Sequence, residues 1–147
     1  MIQSIKEIYL KNLDALHNEI SLYENENDIW TIQNQISNSA GNLALHLIGN
    51  LNYFIGTYLG ETGYVRNRDL EFSDKNVPKQ KLLDDIKATR AMIDTTLSAM
   101  EHNSDATIYP TNKFGEGRTN GYVLMYLLAH LNYHLGQVNY HRRLIVQ

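Results

Sequence analysis

Apolar residues recur at spacings of three and four along most of this chain, and polar tracts break that rhythm at three places. Ile2, Ile5, Tyr9, Leu13, Leu16 and Ile20 form one stripe, which predicts a first amphipathic helix of about twenty residues. It ends at "YENENDIW", too polar to continue the stripe, where the ring of Trp30 is placed to plug one end of the core. Ser37, Asn38 and Ser39 offer alternative caps for a second helix reaching about residue 58, "NLALHLIGNLNYFIGTYL". That helix is apolar on more than one side, so it is buried. Its glycines at 41, 49 and 56 predict close approach by neighbouring helices.

A long connection, "GETGYVRNRDLEFSDKNVP", leads to Pro78 at the start of a third helix whose apolar stripe is Leu82, Ile86, Ile93, Leu97 and Met100. Its charged side, within "KQKLLDDIKATR", reads as a solvated face. The tract "NSDATIYPTNKFGEGR" is a further break, with a short extended piece around "ATIYPT". Thr119 then caps a final helix over residues 120 to about 144. The pattern predicts an all-α fold: one domain over 1–147, built as a four-helix bundle with a long crossover between helices 2 and 3.

Composition narrows what such a bundle can do. Thirteen basic against sixteen acidic residues give a formal charge of -3 without blocks of like charge, which does not read as a nucleic-acid surface. No apolar run reaches the length of about 18 residues that a membrane span requires, and the amino-terminal stretch has no signal-peptide core; the expectation is a cytoplasmic protein. The chain has no cysteine, so disulfides, a cysteine nucleophile and thiolate metal ligands are excluded. Any metal must be held by histidine, carboxylate or solvent.

The candidate chemistry begins at "HLNYHLGQV", where His130 and His134 stand one helical turn apart. With six histidines, about a quarter of one such pair is expected by chance, so spacing alone decides little. Environment adds to it. The flank "VLMYLLA" is apolar enough to bury much of the helix, and two stacked buried imidazoles satisfy each other poorly. A divalent ion resolves that conflict. His46, surrounded by "LALHLIG" in the second helix, is the natural third ligand; standing alone it would read as a core histidine bonded to a carbonyl or a tyrosine. His17 and His102 read as surface residues, and His141 as either a pocket-rim proton carrier or a surface residue.

Other schemes fail on spacing. "HLNYH" lacks the glutamate of the zincin motif, Glu-x-x-His is absent, and neither a phosphate-binding glycine loop nor "GxSxG" occurs. Gln137 lies three residues beyond His134 and Asn50 four beyond His46, each within reach of an imidazole or a bound water. Gln137 could equally bond across to another helix. Tyr126 is a hydrogen-bond donor to a bound ligand or a core tyrosine facing the second helix.

"GNLALHLIGNLNYFIG" and "LLAHLNYHLGQVNYHRR" together resemble the DinB-like (DinB/YfiT) superfamily, and in particular its small DUF1572-type members, over essentially the whole chain. In that resemblance His46, His130 and His134 match the family's three metal-binding histidines. It implies one divalent ion, nickel or zinc, a homodimer, and a thiol S-transferase acting on a low-molecular-weight thiol such as bacillithiol or mycothiol. Two other readings stay open from the residues: a non-catalytic metal-binding bundle serving as a stress-response binding module, and a metal-dependent hydrolase, the latter weakened by the lack of a carboxylate beside the ligands.

Overall fold

The computed structural model describes residues 1–145. In chain order its helices are α1 (Ile2–Ser21), α2 (Ala40–Leu51), α3 (Tyr58–Gly60), α4 (Arg68–Ser73), α5 (Lys79–Ala99) and α6 (Asn120–Ile145), and a π-helical turn, Asn52–Thr57, joins α2 to α3. The long rods α1, α2 with its continuation, α5 and α6 make the all-helical bundle that the pattern predicts.

All six residues of the α1 stripe are buried, and α1 lies against α5 and α6. Leu13 and Leu16 are in the middle of this contact, where truncation to alanine costs about 2–5 kcal/mol. Tyr9 reaches the core with its hydroxyl satisfied, donating to the Leu124 carbonyl at 2.6 Å. Ser39 caps α2 by accepting from the Asn42 N–H at 3.1 Å, a contribution of about 1 kcal/mol. Thr119 does the same for α6, accepting from the Tyr122 N–H at 3.2 Å. Trp30 lies over Gly41, where a β-carbon would collide with its ring, and closes that end of the core.

The second rod and the crossover differ from expectation in ways that matter for the site. The rod is not α-helical to its end. Its π turn widens the ladder, and the Phe54 carbonyl within it accepts from Tyr109 Oη at 2.7 Å. Glu61, in the left-handed region with φ 49°, ends it. The crossover over 61–78 is not a plain loop, because Asn67 caps the single-turn helix α4, which packs on α2. The later connection is pinned at its neck by an isolated antiparallel bridge between Ile108 and Thr119. Tyr109 N–H donates to the Arg118 carbonyl and Asn120 N–H to the Thr107 carbonyl there, both at 2.8 Å. Among the described residues no helix is long and apolar enough to cross a membrane.

His141 is not on the surface, although it lines a cavity with Gln137 and Tyr140. It is 3% exposed, and its two nitrogens lie 2.7 Å from Tyr23 Oη and 2.8 Å from the Thr31 carbonyl. The carbonyl can only accept, so Nε2 carries the proton and Nδ1 accepts from the tyrosine. This imidazole locks the end of α6 to the segment following α1. His102 is exposed, whereas His17 is half-buried.

Candidate metal centre

Helix geometry brings three imidazoles to one point. His130 and His134 project from consecutive turns of α6, and His46 meets them from the middle of α2. The Nε2 atoms of His46 and His134 lie 3.1 and 3.0 Å from Nε2 of His130. The rings are mutually near-perpendicular, at 82°, 88° and 88°. Three nitrogens on one face of a tetrahedral shell with bonds of about 2.0–2.1 Å are about 3.3 Å apart, close to the two separations from His130, so the donor set suits an ion.

The hydrogen bonds behind the rings fix what each presents. His46 Nδ1 is 3.0 Å from Glu71 Oε1, and a carboxylate can only accept, so Nδ1 carries the proton and Nε2 faces inward as a bare lone pair. His134 Nδ1 donates likewise to Gln137 Oε1 at 2.6 Å. Only His130 then has a proton to give at Nε2, and one proton cannot satisfy two facing lone pairs. Its own Nδ1 is buried without a partner. These three residues are able to hold a cation where their nitrogens meet.

Titration points the same way. Burial, followed by the positive character of His134, His46 and Arg66, pushes His130 down to about 4. Burial also lowers His134, against the opposing hydrogen bond that its ring donates to Gln137. Both rings are therefore neutral, as ligands must be, at neutral pH.

Glu71 is the residue that sequence reasoning missed. It comes from α4, 25 positions after His46, and is buried against α2. Arg66 grips it with Nε to Oε2 and Nη2 to Oε1, both 2.8 Å. Burial alone would raise this carboxyl, but the hydrogen bonds from Arg66 and His46 outweigh it and hold the group below the usual glutamate range. Gly49 makes the approach possible: a β-carbon there would overlap the Glu71 carboxylate. The next residue, Phe72, packs on His46 with ring centroids 4.9 Å apart. The expectation that no carboxylate adjoins the ligands is thus corrected, although Glu71 stands behind His46 and not at the open side.

The remaining candidates divide. Gln137 orients His134, as its position one turn away allows. Among the described residues Asn50 makes no hydrogen bond to an imidazole and its Oδ1 has no partner; it is 7% exposed and lines a cavity with His46 and His130. Tyr126 is not a core residue. It is 55% exposed and forms part of the wall of the same cavity, its ring 5.4 Å from that of Phe114. Both long connections reach this cavity, through Arg66 and Arg68 from one and Lys113 and Phe114 from the other.

Comparison with family models finds one match, "Protein of unknown function (DUF1572)", over residues 3–147. No curated protein and no solved structure matches the chain.

Proposed function

Since the chain belongs to the DUF1572 family, whose description leaves the activity open, we propose from its site that it is a divalent-metal-dependent enzyme that transfers a small thiol to an electrophilic carbon. The observation that carries this reading is the convergence of three Nε2 atoms, two of them bare lone pairs, on a point that no proton arrangement satisfies. Imidazole donors favour nickel or zinc. When bound by three imidazoles, such an ion supplies a lowered pKa for a coordinated thiol or water, so that a nucleophile is available near neutral pH.

The residues around the ion have separate duties. Glu71 and Gln137 fix the tautomer and tilt of His46 and His134, and Phe72 closes one face of His46. The half-buried side of His130 leaves a path for substrate along the cavity walled by Phe54, Phe114 and Tyr126. In the transfer, the thiol S–H loses its proton to solvent, the sulfur forms a bond to carbon, and the leaving group departs with its electron pair. Resemblance to the DinB-like superfamily supports a thiol over other nucleophiles and also supports a homodimer.

Hydrolysis fits the site less well. A hydrolase needs a base near the water, and the oxygens of Glu71 are engaged by Arg66 and His46 behind the ligands. A purely structural ion would favour a closed shell of four protein ligands, whereas the ligand group among the described residues has three. The test is a screen of nickel- and zinc-loaded protein with several biological thiols and a chromogenic electrophile, beside His130→Ala. A rate that the substitution abolishes is expected; equal rates from the two proteins would remove the transferase reading.

A further inference from the structure

The cavity beside the triad has a charge that neither the metal nor the bundle requires. It measures about 380 Å³, within the range of small-molecule sites, and its lining holds three cations, Arg66, Arg68 and Lys113, with no acidic side chain. Arg66 is neutralised by its two-pronged contact with Glu71. Arg68 and Lys113 form no ion pair among the described residues. Both are held over rings, Arg68 at 5.2 Å from the Phe72 centroid and Lys113 at 4.5 Å from that of Tyr53. Lys113 also donates to Tyr53 Oη at 2.8 Å. Two uncompensated cations thus stand beside His46 and His130 at one cavity, where a bound divalent ion would add further positive charge.

A second observation is independent of charge. Asn50 is more than nine-tenths buried, lines this cavity, and its amide oxygen has no partner among the described residues. A buried unpaired acceptor costs about 1–3 kcal/mol unless something donates to it. Phe54, Phe114 and Leu127 add apolar surface to the lining.

We infer that the cavity binds a small organic anion whose oxyanion head lies between Arg68 and Lys113, whose apolar body rests on Phe54 and Phe114, and which donates an N–H or O–H to Asn50 once that amide turns its oxygen into the cavity. This rests on the proposed function for the meaning of the ligand, as substrate or co-substrate beside the metal, but its geometry does not depend on the ion. Carboxylate and phosphate share the required chemistry, since each accepts from guanidinium and ammonium groups.

Calorimetric titration of the full-length metal-stripped protein tests it, with N-acetylphenylalanine, its uncharged amide, and phenyl phosphate as probes. The acid or the phosphate is expected to bind at least about tenfold more tightly than the amide, and more weakly as salt is raised. Arg68→Gln with Lys113→Gln, both exposed positions, should remove that preference, and Asn50→Leu should weaken the acid while leaving phenyl phosphate, which has no N–H, unaffected. The acid outperforming the phosphate, or the reverse, identifies which head group the site takes. Equal binding of acid, phosphate and amide, or an undiminished preference in the double variant, would overturn the inference. Zinc titration of the same proteins keeps the two readings apart: anion binding without zinc uptake would sink the metal reading alone, and zinc uptake without anion preference would sink this one alone.

Discussion

Two imidazoles of the triad, His46 and His134, are oriented by different neighbours, and the consequences can be read one residue at a time. Glu71 holds His46 by its Nδ1 proton, so Glu71→Gln, which removes the charge and leaves the Arg66 guanidinium unmatched, should weaken metal binding by about 10–100-fold. Competition with a chromogenic chelator measures this; unchanged affinity would show that Glu71 serves only to neutralise Arg66. His130 gives a pH signature. Its pKa of about 4 in the folded chain is below the ordinary 6.5, so between those values the unfolded chain takes up a proton that the folded chain resists. Stability of metal-free protein should therefore be full above about pH 6.5 and decline as the pH falls towards 4. His134, also lowered, adds to the same slope. Thermal midpoints across this range should decline less steeply in His130→Leu, and identical slopes would contradict the assignment. The three histidines were legible in the sequence because i, i+4 spacing fixes direction on a helix and aliphatic flanks mark burial. Glu71 was not, since it is one acid in a polar crossover whose single helical turn is too short to show periodicity.

At the level of elements, the site depends on how closely α4 approaches α2. Gly49 sets that distance. Helix propensity alone predicts that Gly49→Ala stabilises α2 by about 1 kcal/mol, whereas overlap with the Glu71 carboxylate predicts a loss of about 1–3 kcal/mol. Urea unfolding decides the sign, and the chelator competition should show weaker metal binding in the same variant although no ligand has changed. A stabilised protein with unaltered affinity would mean that α4 yields freely. The glycines of α2 were correctly read as signs of close contact, but their partners at positions 41 and 49 are a tryptophan ring and a carboxylate, which spacing cannot identify. Likewise the second rod was read as one α-helix, because a π turn inserts its extra residue without altering the apolar composition. Long rods were predictable from repeated spacing; the short pieces that complete the site were not.

At the scale of the molecule, the bundle supplies rigid rods and the two connections supply the rest of the cavity. One face of α6 remains uncovered in the single chain, with Tyr122, Tyr126, Tyr133, Tyr140 and Leu144 exposed along its length. These positions share one side of the helix and run past the triad, with Tyr133 packed against His134 at 5.2 Å between centroids. A homodimer across this face should appear as twice the chain mass by light scattering at micromolar concentration, and Tyr133→Glu with Tyr140→Glu should return it to one chain mass. A monomeric wild type would dispose of the dimer without affecting the metal centre. The central claim, that His46, His130 and His134 hold one divalent ion, is tested most directly by elemental analysis of protein incubated with nickel or zinc and freed of excess. About one ion per chain is predicted for the wild type, and almost none for His130→Ala. Metal content unchanged by that substitution, or a wild type that retains no ion, would contradict it.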